Sequence, residues 1–244
     1  PIYVQYFKFL HSAAIGDLGK SFRFGQPVIE VIVERLPATV ELAIFSIIIA
    51  IFLAIPLGVW AGAKPNSLVD NLGTTFGLFG ISMPSFWLGI MLILLLAGFF
   101  HLLPSAGRST YGIAGPRDTG FYFLDSIKQG NWTAVKDAFT HVLMPAIALG
   151  SNMVGILMRV TRSAVLEVMN EEYVVTARAK GLAEQRVLWC HVLTNALIPI
   201  ITVVGLEVGT LLSGSIIVET VFAWPGSGSL LITGVNSRDH PLVT

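Results

Sequence analysis

Residues 170–199 read NEEYVVTARAKGLAEQRVLWCHVLTNALIP, and this stretch decides how the chain is organised. It is the only long segment rich in charge between two uncharged apolar blocks. A charged segment between two apolar blocks must leave the hydrocarbon of a bilayer, because charged side chains are costly there. The stretch therefore predicts a connection outside the membrane, on the side where basic residues gather.

Helix signals stand at both ends of the first ten residues of this stretch. Asn170 can cap a helix. The first turn holds the carboxylates Glu171 and Glu172, which interact favourably with the positive end of the helix dipole. Cations are favoured in the last turn, which holds Arg178 and Lys180. Gly181 follows at the position where helices commonly end with a left-handed residue. Residues 182–193 are then predicted to form a second helix. The pattern predicts a helix, a glycine turn and a helix.

The composition points to an integral membrane protein. The 244 residues are 54% hydrophobic and only 12% charged, with a mean hydropathy of +0.75, whereas soluble domains run nearer a quarter charged. The formal net charge of zero gives no sign of nucleic-acid binding. A lone cysteine, Cys190, excludes an internal disulfide and a cysteine metal cluster. The chain begins with Pro1 rather than Met, and we expect it to be a piece of a longer protein.

Four apolar stretches are long enough to cross a hydrocarbon core, which takes about 20 helical residues. They cover 42–63, 71–107, 138–158 and 193–218. The second is too long for one straight span, and Pro84 should break it within 80–87. A broken helix at membrane depth is tolerated where it faces protein or a watery cavity. Met83 and Ser85 beside the break are therefore candidates for a transport pathway, with a simple packing kink as the alternative. Residues 28–36 have helical spacing and are expected to lie along the membrane surface.

Basic residues near the ends of these spans set the orientation. The dense group, expected to be cytoplasmic, comprises Lys64, Arg159, Arg162, Arg178, Lys180 and Arg186. The visible chain would then enter from outside and end outside.

Residues 170–199 resemble the cytoplasmic EAA loop of ABC-importer permeases, which docks into a cleft on the partner ATPase. They are most similar to the oligopeptide/dipeptide/nickel branch, whose version reads close to E-Y-V-x-T-A-R-A-K-G. The matching residues here are Glu172, Tyr173, Val174, Thr176, Ala177, Arg178, Ala179, Lys180 and Gly181. The resemblance assigns all of them except Val174 to ATPase coupling. The general pattern E-A-A-x-x-x-G-x9-I-x-L-P is met imperfectly, because Val175, Thr176 and Ala177 replace E-A-A and His191 replaces Ile. Within the helix, apolar contact is expected from Tyr173, Ala177 and Ala179, and charge from Arg178 and Lys180.

Two further stretches resemble the same branch. Residues 219–228, ETVFAWPGSG, are similar to its E-T-V-F-x-W-P-G-x-G turn, with Glu219 expected to anchor the turn formed by Trp224, Pro225 and Gly226. Residues 14–21, AIGDLGKS, nearly spell a phosphate-binding loop, but Ala14 replaces the first glycine and no buried strand precedes it. We interpret this stretch as an exterior turn, since G-D-L-G-x-S also resembles the outer loop of the family.

The resemblance implies an all-α polytopic helix bundle, the transmembrane domain of a type I ABC importer, most like the first of the two permease chains. The family has six spans, so one is expected to be missing at each end. The expected organisation is an outer-face segment 1–38, a transmembrane domain 39–222 and an outer segment 223–244. The transmembrane domain would contain an outer loop 104–140 and the coupling segment 166–192.

The resemblance also implies partners. They are a second permease subunit, expected to be a paralogue, two cytoplasmic ATP-binding subunits, an external substrate-binding protein and membrane lipid. The chain itself would be non-catalytic and hold no cofactor, with ATP and Mg²⁺ bound by the partner subunits. The expected location is the inner, cytoplasmic membrane of a bacterium or archaeon. The expected cargo is peptides or related small solutes, which could be a dipeptide, an oligopeptide, glutathione, a nickel chelate or a sugar.

Glu207 lies within the fourth apolar stretch, where a carboxylate costs about 2.5 to 3.5 kcal/mol on insertion scales. A role in the pathway or a gate and a role as an interhelical hydrogen-bond contact both remain open. Ser213 lies nearby and is a second pathway candidate. Neither forms a hydrolytic site, because the five histidines fall in five different segments. The alternatives to a permease are a passive channel or a membrane scaffold without an ATPase partner, with a membrane-bound enzyme further behind.

Overall fold

The computed structural model of the chain describes residues 3, 7, 11, 15, 16, 18–113, 115 and 118–243. Within these ranges the regular structure is helical, and the β structure seen there is one isolated antiparallel bridge between Lys20 and Pro27. The predicted all-α class is confirmed. Ala14 and Asp17, from the stretch that nearly matches a phosphate-binding loop, lie outside the described residues.

The helices follow one another along the chain, and the longest stretch between two of them is 100–121. The first half of the chain contains α1 (Val28–Ala63), α2 (Leu68–Ser82), α3 (Ser85–Leu92), a π-helical segment (Ile93–Phe99) and α4 (Tyr122–Lys128). Then come α5 (Trp132–Val168), α6 (Glu172–Ala179), α7 (Glu184–Arg186), a second π-helical segment (Val187–Val192) and α8 (Leu193–Val221). The chain closes with α9 (Ser227–Asn236) and α10 (His240–Val243).

In the part of the chain that the structure describes, three helical stretches are long and apolar enough to cross a membrane. They are Val28–Ala63, Trp132–Val168 and Glu184–Ser213. A fourth candidate is the pair Leu68–Ser82 and Ser85–Phe99, which is bent by 103°. Each arm of that pair is about 22 Å long at the helical rise of 1.5 Å per residue, shorter than a hydrocarbon core of about 30 Å. Three of the four predicted spans are confirmed as helices long enough to cross, and the second predicted span is the bent pair, with its break near Pro84 as predicted.

The beginning of α1 differs from the prediction. Residues 28–36 are helical, as their spacing predicted, but they continue without a break into the helix of the first apolar stretch. The reason is tertiary packing, because the buried side chains of Val28 and Val31 form one cluster with Leu230 and Leu242. Leu230 of α9 and Leu242 of α10 supply the other side of that cluster.

The chain divides into two compact units, and each contains parts of the long helices. The first unit comprises the described residues of Pro1–Leu42, Ile93–Pro145 and Ser213–Thr244. Its largest fully buried side chains include Trp224, Tyr122 and Phe222. Polar contacts between distant parts of the sequence also hold this unit together. The indole Nε1 of Trp224, for example, donates a hydrogen bond to the carbonyl of Ala38 at 2.9 Å.

The second unit comprises Ala43–Leu92 and Ala146–Leu212. Here α1 and α5 approach closely at Gly62, where an added Cβ would lie 2.7 Å from Cγ1 of Val165. A contact that close requires a residue without a side chain, as is common between membrane helices. At one edge of this unit Asp70 accepts two hydrogen bonds from Arg162, with Nε–Oδ1 at 2.5 Å and Nη2–Oδ2 at 2.8 Å.

The side-chain hydroxyl groups of exposed threonines along α8 donate hydrogen bonds within the helix itself. Thr194, Thr202 and Thr210 each donate to the backbone carbonyl four residues earlier, at 2.9, 3.0 and 3.3 Å. The hydroxyl hydrogens are thereby used within the helix, a common arrangement for threonine in membrane helices.

Candidate functional site

The coupling segment (166–192) begins where α5 ends. Asn170 does not cap α6, because its amide Nδ2 donates to the carbonyl of Leu166 at 2.9 Å and thus serves the end of α5. Glu171 takes the N-cap position of α6 without a side-chain hydrogen bond. The predicted cap is therefore wrong, although the predicted helix itself, Glu172–Ala179, is confirmed.

Gly181 turns the chain between α6 and α7. Its φ of +75° lies in the left-handed region that favours glycine, as the sequence predicted. An added Cβ would find no atom within 4 Å, so the backbone angle rather than space requires glycine at this position. From Glu184 the chain then runs through helical segments to Val221 without an intervening loop.

An ion pair closes the turn around Gly181. Arg178 donates to both carboxylate oxygens of Glu184, from Nη2 to Oε1 at 2.6 Å and from Nε to Oε2 at 3.2 Å. Nη2 of Arg178 also lies 3.4 Å from the sulfur of Met169. The hydrogen bonds to Glu184 raise the pKa of the Arg178 guanidinium above its ordinary value. Glu184 was not among the predicted site residues. An acidic residue six positions after an arginine, across a glycine, is the signal that could have indicated it.

The helix α6 divides into a buried and an exposed side. Val174 and Ala177 are buried within this chain, whereas Tyr173 is 41% and Val175 is 59% exposed. Three-residue spacing places Ala177 on the same side as Val174, so the apolar side chains that α6 exposes are Tyr173 and Val175. Exposed residues also include Glu172, Thr176, Ala179, Lys180 and Gly181. The exposed side thus combines apolar and charged groups.

Glu219 lies at the centre of the turn made by Trp224, Pro225 and Gly226. Its side chain is fully buried and accepts hydrogen bonds from Thr39 Oγ1 at 2.8 Å and from the amide of Ser229 at 2.9 Å. Its backbone carbonyl accepts the amide of Trp224 at 2.7 Å. The carboxylate therefore joins α1, α8 and α9 within the first unit.

The four pathway candidates are divided between the two compact units. Met83 and Ser85 flank the break between α2 and α3, and both are half-buried. Glu207 is half-buried on α8, and its carboxylate makes no hydrogen bond or ion pair within the described residues. Ser213 is exposed and belongs to the first unit, whereas the other three belong to the second.

Long helices able to cross a membrane, joined by an exposed helix–turn–helix, define a polytopic membrane protein. The family described as "Binding-protein-dependent transport system inner membrane component" matches residues 54–244. The chain belongs to this family, and its type I ABC importer fold is confirmed. The passive channel or scaffold is not favoured.

Several relatives match this chain over its whole length. It is 42% identical to the probable D,D-dipeptide transport system permease protein DdpB of Escherichia coli K12, over 100% of this chain and 72% of that protein. It is also 42% identical to the dipeptide transport system permease protein DppB of the same strain, over 100% of this chain and 73% of the relative. The oligopeptide transport system permease protein AppB of Bacillus subtilis is 40% identical to this chain, over 100% of this chain and 72% of the length of AppB. Similarity over the whole chain agrees with the predicted peptide-permease branch.

Proposed function

We propose that this chain is the permease subunit of an importer for dipeptides or short oligopeptides, driven by ATP hydrolysis in separate subunits. The observation that carries the coupling role is the ordered helix, left-handed Gly181 turn and helix of the coupling segment, braced by Arg178 and Glu184. The names of the relatives, which describe dipeptide and oligopeptide transport, support the cargo class.

The coupling segment is built to transmit movement. The helix α5 has 37 residues and is about 55 Å long at 1.5 Å per residue, well beyond a hydrocarbon core of about 30 Å. On the other side, α7 continues into the second π-helical segment and α8. A partner that moves α6 therefore acts on two helices that enter the membrane. ATP binding in the partner shifts the permease between inward-open and outward-open states only if the two states have unequal affinity for the docked partner.

The proposed assembly contains a second, paralogous permease, two cytoplasmic ATP-binding subunits and an external substrate-binding protein. ATP and Mg²⁺ are held by the ATP-binding subunits, and this chain is non-catalytic. The exposed Tyr173 and Val175 supply apolar contact to the ATPase, and Lys180 supplies charge. The assembly lies in the cytoplasmic membrane of a bacterium, with the coupling segment on the cytoplasmic side.

Site-directed cross-linking tests the docking. In the assembled importer, with the exposed Cys190 replaced by serine, Tyr173→Cys should cross-link to the ATP-binding subunit through a short bifunctional reagent. Tyr111→Cys, on the exposed part of the predicted outer loop, is the matched control and should not. An intact assembly in which residue 111 reaches the ATPase and residue 173 does not would refute the proposed docking face.

A further inference from the structure

A narrow cleft lies between α2 and α5 within the second unit. Its volume is about 150 Å³, and apolar side chains that line it include Leu78 and Ile81 from α2 and Met158 from α5. Two arginines on neighbouring turns of α5, Arg159 and Arg162, form the end of this lining. The cleft is thus apolar along its length and cationic at one end.

The two arginines differ in their partners. Arg162 is held by Asp70 through two hydrogen bonds, so its charge is already matched. Arg159 is exposed, and in the described ranges no hydrogen bond or ion pair reaches its guanidinium. Because a guanidinium stays protonated at any physiological pH and carries five donors, Arg159 leaves an unmatched positive charge at the cleft.

The position of the cleft along the helices suggests its depth in the membrane. Arg159 directly follows the uncharged stretch 138–158, where a cation is expected at the boundary between hydrocarbon and headgroups. Leu78 and Ile81 belong to the charge-free stretch 71–107 and therefore lie deeper. The cationic end faces the headgroup region, and the apolar part follows the hydrocarbon.

We propose that this cleft binds one anionic phospholipid of the cytoplasmic leaflet. The phosphate oxygens of its headgroup accept hydrogen bonds from Arg159, and the first part of one acyl chain lies against Leu78, Ile81 and Met158. Basic pockets between membrane helices on the cytoplasmic side recognise anionic headgroups in this way.

The size and charge of the cleft favour this occupant. Sites for drug-sized ligands span about 300–1,000 Å³, so a cleft of 150 Å³ holds a short stretch of one chain rather than a whole peptide. A zwitterionic lipid would place a second positive charge near Arg159, whereas an anionic headgroup matches its charge without that repulsion. The proposal depends on the membrane setting of the chain and is independent of its cargo.

Native mass spectrometry of the whole importer tests the site. The assembly is purified in mild detergent and incubated with equal amounts of phosphatidylglycerol and phosphatidylethanolamine. The wild type should retain phosphatidylglycerol preferentially. Arg159→Gln should weaken that retention about five-fold, the factor expected from one basic residue near anionic lipid. Arg159→Lys should keep most of the preference, because it keeps the charge.

Control experiments distinguish a bound phospholipid from other anions and from a protein subunit as the occupant of the cleft. Arg186→Gln removes another exposed cation outside the cleft and should leave retention unchanged, and Ile81→Trp should reduce it by filling the cleft. Inorganic phosphate and glycerol phosphate, which lack acyl chains, should not displace the lipid. Equal retention in the wild type and Arg159→Gln, displacement by phosphate alone, or a cross-link from Leu78→Cys, in a Cys190→Ser background, to another protein subunit of the importer would overturn the proposal.

Discussion

Nε of Arg108 donates a hydrogen bond to Oε2 of Glu41 at 2.9 Å, although the two residues are 67 positions apart. Both side chains are almost excluded from solvent, at 5% and 7% exposed. Arg108 also donates to the carbonyl of Gly120, and Glu41 Oε1 accepts the amide of Phe123 at 2.7 Å. The guanidinium carbon lies 5.9 Å from the ring centroid of Trp224. The pair thereby fixes the segment before α4 against α1.

Removing one member of this pair should destabilise the protein. Glu41→Gln leaves the buried guanidinium without a carboxylate, and breaking a buried ion pair in this way costs about 3–5 kcal/mol. Thermal unfolding of the detergent-purified assembly should report a clear fall in midpoint. Glu34→Gln, at an exposed position on the same helix, is the control and should change little. The double variant Glu41→Leu/Arg108→Met should recover much of the loss, and no recovery would contradict this explanation.

Replacing Gly181 with valine should uncouple the importer. A left-handed backbone costs a residue with a side chain about 1–2 kcal/mol, and a β-branched residue is a poor substitute there. The turn should shift, so that ATP hydrolysis continues while substrate uptake in proteoliposomes falls. Gly130→Val is the matched control, because Gly130 also has a positive φ and open space around it but lies in the predicted outer loop. Normal uptake by Gly181→Val would count against the coupling role.

Reversing one charge of the pair Arg178–Glu184 should impair coupling more than stability. Exposed ion pairs contribute about 0.2–1 kcal/mol, so Glu184→Arg should barely alter the unfolding midpoint. It should nevertheless lower uptake per ATP hydrolysed, because the like charges open the turn. The exchanged pair Arg178→Glu/Glu184→Arg should restore that ratio in part. If the exchanged pair behaves no better than the single variant, the two residues contribute through contacts with the partner and not through each other.

Asp239 should make part of the stability depend on pH. Burial raises the pKa of this carboxyl, but hydrogen bonds from Ser21 Oγ and from the amides of Arg23 and Phe22 outweigh that effect, and its pKa lies below the ordinary 3.8. A lowered pKa in the folded state stabilises the protein above the unfolded pKa, and this contribution is lost as the pH falls through the folded value.

Unfolding midpoints measured against pH test this prediction. Asp239→Asn should unfold earlier than the wild type at about pH 7, and the gap should narrow below about pH 4. Asp118→Asn, at an exposed position, should show no such gap. A gap that stays constant down to acid pH would show that the charge of Asp239 does not matter.

Local signals in the sequence predicted much of this structure. The features that could not be predicted depend on contacts between residues distant in the sequence. Pro84 breaks a helix and Gly181 ends one because of their own backbone preferences, so both positions could be predicted. The Asn170 cap was wrong because the same amide can serve the helix before it or the helix after it, and the sequence does not rank the two uses. The burial of Ala177 depends on what packs beside α6. Arg108 and Glu41 could not be paired in advance, since nothing local relates residues so far apart.

The internally bonded threonines of α8 bear on how that helix can move. A hydroxyl that needed a partner on a neighbouring helix would fix α8 in one register and would have to break that bond at each transport cycle. Thr194, Thr202 and Thr210 carry their hydrogen bonds with them. The exposed surface of α8 can therefore slide or rotate against lipid or protein without stranding a hydroxyl donor in hydrocarbon, where each unpaired polar group would cost several kcal/mol.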